Sequence, residues 1–315
     1  MAISWEISSL KVETSRPGYV NDSLFANGLM QVPVYVFIVA KDPDTGDEYK
    51  LSAAELDEVR LVEYHFPEKL PDGWEWDKEP NEFDHYAPGT LGENRAERPS
   101  RDDSTLGHQI LTCWVRTERA ENRSLAAWIQ QPDGTIVHTA GEGFESRVTL
   151  TGMTPARLYR KDLIVDVETV GFSSWALYYK RYYVSSTRET KLMRFEIHEY
   201  HGAHEPNTEQ GKFYCFDWIN ADNYGAFRHI WPLDAPQTVE IGQEGHYVEL
   251  EINGRKDDLC ITAAVVYRGP SDKPWDDSFR HPCWFTAVDR YGNSSDFYVE
   301  REDPAVGVGL IIKDR

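Results

Sequence analysis

Between Asn27-Gly28 and Asp42-Pro43-Asp44-Thr45-Gly46, every second residue of Val32, Val34, Val36 and Ile38 is apolar. Period-two alternation bounded by turn residues is the pattern of a β-strand with one face in a core. Pro33 has no N–H to give to a ladder, so this strand reads as a sheet edge or as carrying a bulge. The same grammar predicts strands over residues 3–14, 30–40, 59–65, 108–117, 123–131, 134–139 and 146–151. It continues over 162–170, 175–185, 190–200, 211–218, 247–252, 258–267, 283–288 and 296–301. Pro132-Asp133-Gly134-Thr135 and Asn253-Gly254 are hairpin turns. Helical periodicity is nearly absent. Ser52-Ala53-Ala54-Glu55 is a capping box and predicts one helix of two turns or fewer.

Residues 66–107 have a different texture, rich in Pro, Gly, Asp, Glu and Arg and poor in β-branched residues. Strands are needed on both sides of it to complete a sandwich, so it reads as a long insertion within one domain. At 315 residues the chain exceeds what one core usually supports. The boundary falls near Thr154-Pro155, giving a β-sandwich over 1–154 with its aromatic and acidic insertion, and a second over 155–315. The expected fold is all-β, with two sandwich domains.

Trp284-Phe285-Thr286-Ala287-Val288 runs through Asp289-Arg290-Tyr291-Gly292-Asn293-Ser294 into Phe297-Tyr298-Val299. This resembles the last hairpin of bacterial immunoglobulin-like and fibronectin-like modules, and Val36 to Gly46 is similar to a mid-domain strand and turn of the same modules. The resemblance implies immunoglobulin-like sandwich architecture. It carries no catalytic or binding residue.

Charge removes whole partner classes. With 53 acidic against 33 basic residues the net charge is -20, so nucleic acid and anionic membrane surfaces are repelled at long range. No window is long and apolar enough for a transmembrane span, and the first residues lack the pattern of a secretory signal. The expectation is a cytoplasmic protein as synthesised, with non-classical release left open. Cys113, Cys215, Cys260 and Cys283 are scattered through apolar, strand-like contexts without a CxxC pair. They read as buried free thiols; a Cys260–Cys283 bridge is the alternative if their strands face each other.

Three clusters could carry chemistry. Trp74-Glu75-Trp76-Asp77, with Tyr86 nearby, sets aromatic faces beside carboxylates, as a carbohydrate site does. The competing reading pins both tryptophans against the sheet as a clamp on the insertion. His198, His201 and His204, with Glu199 and Glu205, are a dense group of zinc-type ligands. A spacing of three on a strand places His198 and His201 on opposite faces, which favours a solvated strand end. Asp42 and Asp44 bring calcium-type oxygens to a turn but depart from the twelve-residue calcium loop. Motifs of the GxSxG, P-loop and GxGxxG kinds are missing.

These observations favour a non-enzymatic binding or assembly module with a protein or glycan partner and no cofactor. The alternatives are a carbohydrate-binding or carbohydrate-cleaving protein using the insertion, and a metal-dependent enzyme using the histidines with zinc; calcium at the Asp42 turn is the other metal reading.

Overall fold

In the computed structural model the described residues are 4–16, 18–88, 108–171, 176–187, 190–198, 214–219, 224–243, 246–267, 283–302 and 309–315. The chain divides into two compact units, Met1–Ala156 with Tyr291–Asn293, and Arg157–Arg290 with Ser294–Arg315.

The first unit contains β1 (Glu6–Thr14), β2 (Asn21–Phe25), β3 (Val32–Lys41), β4 (Glu48–Tyr49), α1 (Ala53–Leu56), β5 (Arg60–Glu63) and β6 (Trp74–Asp77). It continues with β7 (Gln109–Thr117), β8 (Asn122–Gln130), β9 (Ile136–His138) and β10 (Val148–Met153). One sheet has the order β1-β3-β7-β6 with β4 on β3, and the other β2-β10-β8-β5 with β9 on β8. Alternation sends Leu10, Val12, Val34, Val36, Ile38, Cys113 and Val115 inward from the first sheet. Leu24, Leu61, Leu125, Ala127, Ile129, Val148 and Leu150 join them from the second in one buried cluster. Two sheets sharing one apolar filling make a β-sandwich. Each fully buried aliphatic side chain adds about 1.5 to 3 kcal/mol of transfer free energy.

The β3 strand is interior, which corrects the edge reading drawn from Pro33. The Pro33 carbonyl faces β1, accepting from the Thr14 hydroxyl at 2.7 Å. Its nitrogen, on the same side of an antiparallel strand, lies just past the end of the β1 ladder, which stops at Thr14↔Val34. No donor is needed there. The capping box closes as expected, Ser52 and Glu55 reciprocating across α1. Glu55 also accepts from Trp5 Nε1 at 2.6 Å and from the Tyr49 hydroxyl at 3.2 Å. Burial pushes its carboxyl up, and the bonds from Ser52, Trp5 and Tyr49 outweigh that and hold it below the ordinary range.

The second unit contains β11 (Leu163–Gly171), β12 (Ala176–Ser186), β13 (Leu192–His198), β14 (Tyr214–Ile219), β15 (Tyr224–Trp231) and β16 (Gln237–Gln243). It continues with β17 (His246–Ile252), β18 (Leu259–Tyr267), β19 (Cys283–Asp289), β20 (Ser294–Arg301) and β21 (Leu310–Asp314). Its sheets run β11-β12-β18-β15-β14, β13-β19-β20-β21 and β16-β17. Strands β12, β18 and β15 of the five-stranded sheet contribute to a core on each face. Tyr182, Val184, Leu259 and Ile261 pack against Phe285, Phe297 and Val299. Tyr183, Phe227, Trp231 and Cys260 pack on the other face against Val239, Leu250 and Ile252. Thr262, fully buried in that sheet, accepts the Trp231 indole N–H at 2.8 Å.

Cys113, Cys260 and Cys283 are free and buried. Cys260 and Cys283 belong to different core clusters, so the bridge left open by the sequence does not form. Burial pushes the Cys260 thiol up to about 11 and raises Cys113 further, which keeps both protonated and inert.

One buried acid works against the fold at neutral pH. Asp22, at the start of β2, has its pKa raised to about 6 by burial, against lowering by the Ser23 N–H and the Thr14 hydroxyl. Ser15, in the left-handed region at φ 53°, also donates to it. A folded pKa above the unfolded value means that the folded state binds the proton more tightly. The contribution of Asp22 is therefore full below about pH 4 and lost as pH rises through about 6. Asp22→Asn should accordingly raise stability relative to wild type by about 2 kcal/mol at pH 7, with the difference vanishing near pH 4. Urea unfolding of both proteins at the two pH values checks this; an equal difference at both would contradict it.

Candidate binding groove

The insertion does not carry its tryptophans outward as a pair. β6 pairs antiparallel with β7, Trp74↔Thr117 and Trp76↔Val115, as an outer strand of the first sheet. Alternation then points Trp74 and Trp76 to the core and Glu75 and Asp77 away from it. Trp74 is 3% exposed, and Trp76 is half-buried against the same cluster. Trp74 therefore acts as a clamp, which corrects its reading as a sugar-stacking ring. Glu75 and Asp77 both pair with Arg116, at 2.6 and 3.1 Å, and Asp77 also accepts from Gln31. Tyr86 is half-buried. Its neighbours Phe83 and Ala87 are buried, and the His85 ring lies 4.3 Å from that of Trp114. His85 thus covers Trp114 on the face away from Cys113 and Val115, and Ala87 joins the core cluster. Residues 89–107 of the insertion lie outside the described residues.

The start of the insertion forms a groove instead. It encloses about 460 Å³ between the end of β5, the connection to β6 and the β7–β8 turn. Volumes of this size hold small ligands or a few residues of a partner chain. Phe66, Leu70 and Pro71 supply its apolar surface. Phe66 is 73% exposed, the highest value among the exposed large apolar side chains of the described residues.

Around these lie four carboxylates, Glu63, Glu68, Asp72 and Glu121, and three cations, Lys69, Arg119 and Arg123. Most are matched. Arg123 bridges Glu63 at 3.2 Å and Glu121 at 2.9 Å, and Lys69 pairs with Asp72 at 2.9 Å. The hydrogen bond from Arg123, helped by the Trp74 indole N–H at 3.2 Å, holds the Glu121 carboxyl below its ordinary range. Lys69 does the same for Asp72. Arg119 forms no salt bridge among the described residues, although its charge is felt at Asp72 and Glu121.

Two glycines set the turn that carries Arg119. Gly73 has φ +81°, and a Cβ there would stand 2.8 Å from Arg119 Cγ and 2.9 Å from its Nε. The Arg119 side chain thus lies across bare backbone. Gly152 of β10 donates its N–H to the Glu121 carbonyl at 2.8 Å, and a Cβ on it would overlap the Arg119 carbonyl oxygen. The turn is seated directly on the β10 backbone.

Elsewhere the candidate metal ligands have other partners. The Asp42 carboxylate accepts the backbone N–H groups of Asp44 at 2.8 Å and Thr45 at 3.1 Å, capping its own turn. His198 Nε2 lies 2.6 Å from the Thr286 hydroxyl, which donates to Asp296 at 2.6 Å. Nε2 is therefore the protonated donor, with no lone pair for a metal. Its ring stacks on Trp284 at 3.4 Å, and the Arg315 guanidinium lies 3.5 Å from the same indole centroid. Burial holds the imidazole below its ordinary pKa, with Asp296 opposing. His201 and His204 lie outside the described residues. Among the described residues no three His, Cys, Asp or Glu side chains gather as a metal site. No described helix is long and apolar enough to cross a membrane.

The groove residues escaped the sequence reading, which gave Phe66, Arg119, Glu121 and Arg123 no functional role. The one local signal was Phe66, an apolar ring running directly into the turn-forming and charged Pro67-Glu68-Lys69.

No protein-family model matches the chain, and no curated protein matches it either. Among solved structures, the chain is similar to the C-terminal domain of the Streptococcus pyogenes antigen I/II-family protein AspA. The likeness spans 98% of this chain and 99% of that one, at 10% identity and a TM-score of 0.23, too slight to carry an argument about fold or function.

Proposed function

We propose that this chain is a non-enzymatic binding module and that the groove of its first unit is the contact surface. The observation that supports this most is Phe66, a large apolar ring held out in water beside matched ion pairs, where it adds nothing to the core. Contiguous apolar surface rimmed by polar groups marks contact sites, and Phe66 lies with Leu70 and Pro71 in such a setting.

Carbohydrate binding is the second reading. Aromatic-plus-carboxylate chemistry is present in the same insertion, at Phe66 rather than Trp74. Cleavage of a glycosidic bond is disfavoured, because a general acid needs a raised pKa and Arg123 keeps Glu121 ionised. The metal-enzyme reading gains nothing from His198, whose Nε2 is already a donor.

Phe66→Ser tests the proposal. The substitution should leave stability within about 0.5 kcal/mol of wild type, as an exposed side chain allows, and should abolish partner binding.

A further inference from the structure

Resting on the reading of the groove as a contact site, we propose that its partner is a protein segment carrying a single carboxylate beside an apolar side chain. Arg119 is the anchor for the carboxylate and Phe66 the platform for the apolar group. The charge pattern carries this. Glu63 and Glu121 share Arg123, and Asp72 holds Lys69, so each of these five groups has a partner in place and together they keep one negative charge. Arg119 and Glu68 remain. Both are exposed; Arg119 is laid across Gly73 with its guanidinium fork committed to no carboxylate among the described residues, while Glu68 has no apolar or cationic cradle of that kind.

A planar guanidinium favours a carboxylate in bidentate geometry, and the pairing strengthens when a partner covers it. Phe66, Leu70 and Pro71 form an apolar wall in the same groove, which a purely polar ligand would leave unmatched. A neutral sugar would not satisfy Arg119. A polyanion would meet the repulsion of the whole chain at net charge -20. One carboxylate next to one apolar side chain is what both constraints admit.

The minimal probe is N-acetyl-L-phenylalanine, set against its uncharged amide. Saturation-transfer NMR titrations would use the full chain, its Arg119→Gln and Arg119→Lys variants, and, as a control, Glu48→Gln at an exposed position of β4 outside the groove. Melting curves of each variant confirm folding. The expected result is saturable millimolar binding of the acid, with the amide and the Arg119→Gln variant each weaker by about tenfold, the loss of one charge-assisted pairing. Arg119→Lys should recover part of the loss, and Glu48→Gln should change little. Equal binding of acid and amide, an unaffected Arg119→Gln variant, or no saturable binding of the acid would each overturn the proposal. If acid and amide bind equally and Phe66→Ser removes both, the contact site stands and only the carboxylate anchor falls. Binding confined to glycans would also overturn it.

Discussion

Trp74→Ala should destabilise the first unit by about 3 to 5 kcal/mol, the cost of deleting a large buried ring from a packed core. The side chain is 3% exposed within the main cluster, and its indole N–H reaches Glu121. For a unit of this size that loss lowers the melting temperature by roughly 10 °C. Trp74→Phe restores most of the packing and leaves Glu121 without that donor, so a loss of about 1 kcal/mol is expected instead. Differential scanning calorimetry separates the two variants. A Trp74→Ala protein that melts with wild type would mean that the indole does no packing, and would return Trp74 to the candidates for ligand contact.

Gly152→Ala should have an effect of similar order without removing an atom. The added Cβ would overlap the Arg119 carbonyl, which is backbone and cannot swing aside as a side chain can. Either β10 or the β7–β8 turn must shift, stretching the Gly152 N–H to Glu121 carbonyl bond. Overpacking of this kind costs about 1 to 3 kcal/mol and occasionally more. Because the shift falls on the turn carrying Arg119, Glu121 and Arg123, ligand affinity should drop even at temperatures where the variant is fully folded. Denaturant unfolding paired with the binding titration tests both halves. Unchanged stability would contradict the close seating of the turn.

The strands legible in the sequence were those whose two faces differ. β3, with Val34, Val36 and Ile38 inward, and the β8–β9 hairpin around Asp133-Gly134 show turn chemistry and alternation together. β18 was found as an unbroken apolar run, Leu259-Cys260-Ile261, whose meaning became clear only with cores on both faces of its sheet. β2, β4, β6, β15, β16 and β21 went unmarked. Several are short, and β2 is held mainly by parallel pairing to β10, more than a hundred residues away, which no local pattern encodes.

The four residues of β6 do alternate, Trp-Glu-Trp-Asp, so the inward face of Trp74 was written in the chain. It was masked by the loop-like composition around it. The groove was far less legible. Its walls are brought together by Glu63 meeting Arg123 and by Gly73 meeting Arg119, contacts 60 and 46 residues apart in sequence. Charged turn residues look the same in sequence whether they line a groove or face open water.

Parallel peptide and glycan arrays, probed with wild type and with Phe66→Ser of matched melting temperature, test the central claim most directly. The account predicts that wild type binds a defined set of peptides in which an acidic residue neighbours an apolar one. It also predicts that the variant loses them while remaining folded. Wild-type binding that survives in the variant would contradict the groove as the contact surface, as would a wild type that binds neither array.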